Sequence, residues 1–418
     1  MNVTIVGSGY VGLTTGAVLA YLGHRVTLLD IDERKIALLR NGKSPIHEPG
    51  LEELLCLTKE RLTFTSSWDE FDPSSEIVMI AVGTPPKTNG EANTHYVEDA
   101  ARSIAERLRD GAQYTVVVKS TVPIGTNRRV NHIIRRTLEE HHIHAKVFVA
   151  SNPEFLREGW ALYDCFYPDR IIIGAEEPEA VEMLRRLYRP LLEQTFEPLD
   201  VIPKKEETGL PPLITTDPVS AEMIKYAANA FLALKISFIN EIAGLCEKVG
   251  SDVTEVARGI GLDSRIGPRF LNAGIGWGGS CFPKDTAALL AVGKEHNYEM
   301  PIVEAARKVN ELQRFRVVEK LQSLLKGVRG RTIGVLGLAF KPNTDDVRES
   351  PALDIIRLLI ERGAHVRAHD PVAMDNVRAV LTDEELKEVT FVHDPNDVAD
   401  GAHALLLATE WPQYRLLD

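Results

Sequence analysis

The sequence predicts an α/β chain of two doubly wound halves, each a parallel sheet between helices, joined by one long central helix. Three features predict it. Residues 1–30 read as strand, glycine turn, helix and strand. Apolar strand-like runs then alternate with helical patterns, which implies a parallel sheet. A single helical pattern runs unbroken from Pro218 to Val249 before the α/β alternation resumes at Arg331. At 418 residues the chain exceeds one compact core, and the pattern places domains at 1–202, 216–310 and 320–418.

The opening strand spans Asn2 to Val6, and Gly7-Ser8-Gly9-Tyr10-Val11-Gly12 turns the chain into the first helix. This G-x-G-x-x-G stands between a strand and a helix, the context that gives the motif its meaning. The first two glycines permit a tight turn and close approach to a pyrophosphate, and the third lets the helix pack on the strand. A Rossmann-like domain is therefore expected. Asp30 ends the second strand, Arg25 to Asp30. Its carboxylate can accept from an adenosine ribose and would repel a ribose phosphate, which favours NAD over NADP. Arg34 and Lys35 lie close by and moderate that preference. Further strands are expected over Ile77 to Val82, Thr115 to Lys119 and Lys146 to Ala150, with a helix over Val97 to Arg109. A polar or proline-containing turn follows each strand, at the carboxyl edge where such sheets bind ligands. Thr84, Thr121 and Glu154 occupy that edge, although each also suits a turn or a cap.

Residues 203–217, rich in Pro, Lys and Glu, read as an exposed connector. Asp217-Pro218 is a helix start, with an N-cap carboxylate and proline at the first position, and Gly250 is a C-cap. At 1.5 Å per residue the helix forms a rod of about 45 Å. It is apolar around most of its circumference, so burial on several sides and a subunit interface are expected. Lys225 and Asn229 interrupt that surface four residues apart, hence on one face. The last domain reads as strand Thr332 to Leu336, helix Pro351 to Arg362 closed by Gly363, and strands His365 to Asp370 and Ala404 to Ala408. It is a second Rossmann-like half with Gly334 and Gly337 but no full fingerprint.

Net charge is −12, from 60 acidic and 48 basic side chains. That disfavours nucleic acid or an anionic membrane as a general partner, while leaving room for an anionic small ligand at a helix N-terminus. Cys56, Cys165, Cys246 and Cys281 show no C-x-x-C pairing and no metal-ligand spacing. Reduced thiols, no metal and a cytoplasmic protein are expected. No apolar run is expected to span a bilayer.

Cys281 lies in Gly278-Gly279-Ser280-Cys281-Phe282-Pro283-Lys284-Asp285. A lone cysteine is more often a small buried hydrophobe. Here the flanking glycines allow close approach, and a charged pair stands beside the thiol. With the dinucleotide fingerprint, this suggests a dehydrogenase that holds its substrate covalently and oxidises an alcohol past the aldehyde to the acid.

Taken together, the motifs are similar to those of the nucleotide-sugar 6-dehydrogenases, the UDP-glucose/GDP-mannose dehydrogenase family, most closely its UDP-glucose branch. The matching pieces begin with GSGYVG, SPIHEPGLEELL at 44–55, VGTPP, KSTVPIGT and NPEFLREG at 152–159. They continue with AEMIKYAANAFLALKISFINE at 221–241, GLDSRIGPRFLNAGIGWGGSCFPKD at 261–285 and LAFKPNTDDVRES at 338–350. The resemblance runs from about residue 1 to about 410 in family order. It implies oxidation of a sugar's primary alcohol to a carboxylate with two NAD and one water. Cys281 would form a thiohemiacetal and then a thioester, with a nearby ammonium favouring the thiolate. Lys225 and Asn229 would donate to developing negative charge. Glu154, Glu158 and Asp285, with Thr121 as a water holder, are candidates for activating water, unranked by sequence.

The resemblance further implies that Gly7, Gly9, Gly12, Asp30, Lys35, Thr84, Thr121, Glu158, Lys284 and Arg348 serve NAD. Arg348 is equally readable as a salt-bridge partner of its acidic neighbours. The sugar nucleotide falls to Glu154, Phe155, Leu156, Lys225, Asn229, Phe270, Asn272, Gly278, Phe340 and Lys341. Arg265 would reach across a subunit interface, so a homodimer or larger homo-oligomer is expected. Trp277 stands where relatives commonly carry Tyr or Phe, and the connector at 203–217 is longer than expected. GDP-mannose or a UDP-N-acetylhexosamine are alternative substrates. A 2-hydroxyacid dehydrogenase leaves Cys281 unexplained, and a sensor without turnover leaves Cys281, Lys225, Asn229 and Asp285 without a reason to coexist.

Overall fold

The computed structural model describes residues 1–203 and 209–417. The chain divides into two compact units, Met1–Tyr226 and Ala227–Asp418.

The first unit carries eight strands: β1 (Asn2–Val6), β2 (Arg25–Leu29), β3 (Leu62–Thr65), β4 (Ile77–Ile80), β5 (Gln113–Val118), β6 (Lys146–Ser151), β7 (Ile171–Ala175) and β8 (Leu213–Thr216). They form one sheet in the order β3-β2-β1-β4-β5-β6-β7-β8. β1 lies between β2 and β4, so the strand order reverses there, the arrangement that opens a ligand crevice at the carboxyl edge. All neighbours are parallel except β7, which runs antiparallel to β6 through Ala150–Ala175 and Ser151–Gly174. The expected strands are therefore present, with one reversal that the apolar pattern did not reveal.

Strand residues alternate between two cores. In β4, Ile77 and Met79 point to one and Val78 and Ile80 to the other. Burial on both faces explains the near-continuous apolar runs. Helices α1 (Tyr10–Tyr21), α2 (Glu33–Arg40), α3 (Leu51–Thr58), α4 (His95–Ala105), α5 (Thr126–Glu140), α6 (Ala161–Phe166) and α7 (Pro178–Leu192) complete the layers before the long helix α8 (Pro218–Val249). Leu13, Leu54, Leu162 and Leu187 fill one core, and Ile104 and Ile134 the other.

The connector at 203–217 differs from expectation. Residues 204–208 fall outside the described residues, but Leu213–Thr216 is a strand, paired in parallel with β7 through Ile171–Leu213 to Gly174–Thr216. Being an edge strand, β8 buries little and gives only a weak apolar signal. Gly174 explains how the next helix starts so close: a Cβ there would sit 2.5 Å from Ala221 Cβ.

α8 starts and stops where the sequence indicates. Asp217 Oδ1 accepts from Ser220 N at 2.9 Å, and Gly250 adopts φ +75°. The boundary between the units falls inside this helix. α8 is buried along part of its circumference, while Met223, Phe231, Phe238, Leu245 and Val249 are exposed. One expectation needs correction: by length and composition α8 is apolar enough to cross a membrane, where no such run was expected. Its polar side chains Glu222, Lys225, Asn229 and Asn240 are nevertheless buried in the protein, and one such helix is weak evidence for a membrane span.

The second unit adds α9 (Val253–Gly261), α10 (Phe282–Glu295), α11 (Pro301–Leu325), α12 (Pro351–Glu361), α13 (Met374–Val380) and α14 (Asp383–Lys387). Strands β9 (Thr332–Leu336), β10 (His365–His369), β11 (Val389–Phe391) and β12 (Ala404–Leu407) form an all-parallel sheet in the order β11-β10-β9-β12. This repeats the arrangement of β3-β2-β1-β4, as expected for a second Rossmann-like half. Asp370 ends β10 as Asp30 ends β2, and its Oδ2 accepts from Leu338 N and Ala339 N after β9.

Candidate active site

The glycine turn behaves as its spacing requires. Gly7 has φ +102°, and a Cβ there would lie 2.7 Å from Ala81 O. At Gly12 a Cβ would lie 1.8 Å from Gly7 O, so only glycine lets α1 pack this closely. Gly9 has open space at its Cβ position and precedes the first residue of α1. A diphosphate fits there, against the helix N-terminus. Asp30 Oδ2 accepts from Ser8 N and Ser8 Oγ, both at 2.7 Å, and Oδ1 from Asp32 N at 3.0 Å. Burial alone would raise its pKa, but these donors outweigh it and the net displacement is downward. Lys35 Nζ is 3.9 Å away. These residues suit the adenosine diphosphate half of NAD.

At the carboxyl edge, Thr84, Thr121, Glu154 and Lys225 are brought together. Thr84 Oγ1 donates to Thr121 O at 2.7 Å, and Thr121 Oγ1 to Glu154 Oε1 at 3.3 Å. Lys225 Nζ pairs with the same Oε1 at 2.9 Å, and both side chains are almost wholly enclosed. Leu156 N donates to Glu154 Oε2 at 2.7 Å. Burial pushes the Glu154 pKa up, yet the Lys225 charge and these donors reverse it, and the carboxylate is held below its ordinary range. The Phe155 ring lies 3.8 Å from the Arg170 guanidinium and 5.3 Å from Lys225 Nζ. Glu158 is buried beside Tyr10, whose hydroxyl pKa is raised by burial and by the charges of Glu48 and Glu158.

In the second unit, Cys281 is the N-cap residue of α10, where the helix dipole favours negative charge on sulfur. Ser280 Oγ lies 3.6 Å from Cys281 Sγ. Two residues into the helix, Lys284 Nζ pairs with Asp285 Oδ1 at 2.5 Å, while Asn229 Nδ2 donates to Asp285 Oδ2 at 2.6 Å. Asp285 is completely buried. It thus fixes a lysine and an amide rather than presenting a free base. The glycines beside the thiol serve close packing: a Cβ at Gly278 would meet Glu349 O at 2.0 Å, and one at Gly279 the Phe340 ring at 2.6 Å. Trp277 is buried, with its indole N–H donated to Ser237 Oγ at 2.9 Å, so the larger aromatic is accommodated inward.

Other expected residues sit less centrally. Phe270 has φ +65° and lies 6.3 Å from the Phe282 ring. Asn272 is exposed. Lys341 Nζ lies 5.5 Å from the Phe340 ring. Arg348 makes paired bonds to Asp346, the salt-bridge alternative. Arg265 does the same with Asp263 and is 86% exposed, so within its own chain it is not gathered to Cys281.

Sequence reasoning missed Lys119, Asn152 and Glu222. Lys119 Nζ donates to Asn152 Oδ1 at 3.0 Å. Glu222 Oε1 and Oε2 accept from Asn127 N at 2.7 Å and Gly125 N at 2.5 Å. The available signals were a lysine closing an apolar strand and a glutamate one turn before Lys225.

Family models assign the chain in three consecutive parts. Residues 1–192 match the NAD-binding domain of the UDP-glucose/GDP-mannose dehydrogenase family, 219–312 its central domain and 334–418 its UDP-binding domain. The chain belongs to this family. The UDP-glucose 6-dehydrogenase TuaD of Bacillus subtilis is 46% identical over 420 residues, covering 100% of this chain and 85% of that protein. The UDP-glucose 6-dehydrogenase of Rhizobium meliloti is 46% identical, covering 100% and 91%. Among solved structures, a UDP-glucose dehydrogenase from Pyrobaculum islandicum superposes with a TM-score of 0.89 at 45% identity, covering 100% and 91%. A UDP-D-ManNAc dehydrogenase from Pyrococcus horikoshii gives 0.83 at 27%, covering 100% and 91%. Family membership brings NAD as the cofactor of the first unit.

Proposed function

We propose that the protein is an NAD-dependent UDP-glucose 6-dehydrogenase, converting UDP-glucose to UDP-glucuronate by two successive oxidations. The observation that carries the chemistry is Cys281 at the N-terminus of α10, beside the Lys284–Asp285–Asn229 set. A single hydride transfer needs no such thiol. UDP-glucose is favoured over an N-acetylated sugar because relatives named for UDP-glucose share 41–46% identity, against 27% for the ManNAc enzyme.

Two NAD, bound in turn at the glycine turn, would each accept one hydride. The protein's part is charge and proton management. Lys225 and Asn229, one turn apart on α8, donate to the substrate oxygen as it gains charge. Glu154, ionised beside Lys225, takes the alcohol proton as the first hydride leaves to give the aldehyde, and passes that proton to solvent before the later steps. The Cys281 thiolate adds to the aldehyde carbon, and loss of the second hydride leaves a thioester. Water held by Thr121 and deprotonated by Glu154 attacks that carbon. The C–S bond breaks, releasing the carboxylate and restoring the thiol. Glu154 is placed for the role of base by its contact with the water holder, since Thr121 Oγ1 donates to its Oε1 at 3.3 Å, whereas Asp285 is held by Asn229 and Lys284.

The exposed stripe on α8 serves as a homodimer surface. Phe231, Phe238 and Leu245 recur every seven residues, the spacing of a helix that packs along a partner helix. Exposed Arg265 is then available to the partner, and a cytoplasmic enzyme fits this assembly.

The test is a count of NADH per sugar nucleotide with UDP-glucose, GDP-mannose and UDP-N-acetylmannosamine in parallel. Two NADH per UDP-glucuronate, with UDP-glucose preferred, supports the proposal. One NADH, or preference for another sugar nucleotide, refutes it.

A further inference from the structure

Lys119 is a charged group to which the chemistry above gives no role. It follows β5 at the carboxyl edge of the first sheet and is 8% exposed. Its Nζ donates to Asn152 Oδ1, which also accepts from Tyr188 OH at 2.6 Å. Asn152 is tied further, through Nδ2 to Ile172 O at 2.7 Å and through N to Val118 O at 2.9 Å. It therefore links β5, β7 and α7 just two residues before Glu154. Lys119, Asn152 and Glu154 line one cavity of about 80 Å³ within the first unit, roomy enough for a few waters. A buried ammonium is costly unless its charge is used. Among the described residues, Lys119 has no carboxylate oxygen within 4.0 Å, so its charge acts at longer range.

We infer that Lys119 is a positioning residue for the proposed oxidation: through Asn152 it fixes the loop bearing Glu154, and its charge, acting through the shared cavity, keeps that carboxylate ionised. This rests on Glu154 serving the reaction as described above. The charges around the pair agree. Glu154 is faced by Lys225 from α8, by Thr121 after β5 and by Lys119. Lys119 is faced by Asn152, by Cys165 from α6 and by Tyr188 from α7, with Asp164, Asp169 and Arg170 on the same cavity wall. Burial, with the like charge of Lys225, lowers the Lys119 pKa to about 8, against the opposing influence of Cys165 and Glu154, so the ammonium persists at pH 7. Burial pushes the Cys165 thiol up to about 12 and the Tyr188 phenol upward as well, so neither changes charge near neutrality.

The experiment follows UDP-glucuronate formation from pH 5 to 9 for the wild type, Lys119→Met, Lys119→Arg and Tyr188→Phe. Lys119→Met is expected to lower kcat roughly ten- to a hundredfold and to move the acidic limb up by about one pH unit, with KM for UDP-glucose little changed. Lys119→Arg retains the charge and should keep the wild-type limb. Tyr188→Phe loosens Asn152 without removing charge, and should lower kcat with the limb in place. A Lys119→Met limb at the wild-type position overturns the inference, as does an equal shift in Tyr188→Phe. Should Lys119→Met fail to fold, the other two variants decide: an unmoved limb in both supports it, and a moved limb in either overturns it. Failure of the wild type to form UDP-glucuronate would instead strike at the proposed function.

Discussion

Replacing Glu222 by glutamine removes a charge that the fold holds at a cost above neutral pH. Glu222 is 3% exposed. Its carboxylate ties α8 to the start of α5 through Gly125 N and Asn127 N. Burial raises its pKa from 4.5 to about 7, although the two amide donors and Arg128 oppose the rise. The folded pKa lies above the unfolded one, so the folded state binds the proton more tightly. Its stabilising contribution is fully present below pH 4.5 and is lost as pH rises through about 7. A displacement of about 2.5 pKa units corresponds to about 3 kcal/mol. Glutamine keeps one acceptor and never ionises, so Glu222→Gln should gain on the wild type by about that amount between pH 4.5 and pH 8. For a unit of this size the change in relative melting temperature is on the order of 5–10 °C. The assay is the melting temperature of both proteins across that range. Parallel pH dependences, with no relative gain for the variant, would refute the assignment of a costly buried charge to Glu222.

Three further outcomes are expected. Lys225→Met should lower kcat about 10²–10³-fold; it also removes the partner 2.9 Å from Glu154, so the acidic limb of the rate profile should move up as that carboxylate becomes easier to protonate. Gly12→Ala places a methyl against Gly7 O and should cost at least about tenfold in NAD affinity by calorimetry. Phe231→Asp charges the centre of the exposed α8 stripe and should shift sedimentation from dimer to monomer.

Much of the fold was legible because its signals are local. The glycine turn, the strand ends bearing Thr84, Thr121 and Glu154, and both caps of α8 each follow from a few adjacent residues. β8 was hidden because Leu213–Thr216 is short, lies at an edge, and follows two prolines in a polar stretch. The reversal of β7 rests on only two residue pairs, which composition cannot encode. The exposed α8 stripe could not be separated from its buried face because both are apolar. Within the site, Cys281, Lys284 and Asp285 are contiguous, and Lys225 and Asn229 share a helix face, so sequence found them. Lys119 and Glu222 act on residues 33 and 95 positions away. Their importance exists only once the sheet brings β5, β6 and α8 together within the first unit.

The most direct test of covalent catalysis is peptide mass spectrometry of enzyme quenched during turnover with UDP-glucose and NAD. A UDP-glucuronyl adduct confined to the Cys281 peptide, and absent from Cys281→Ala, is the expected result. An unmodified Cys281 peptide while UDP-glucuronate accumulates, or acid formation by Cys281→Ala at the wild-type rate, would contradict the account.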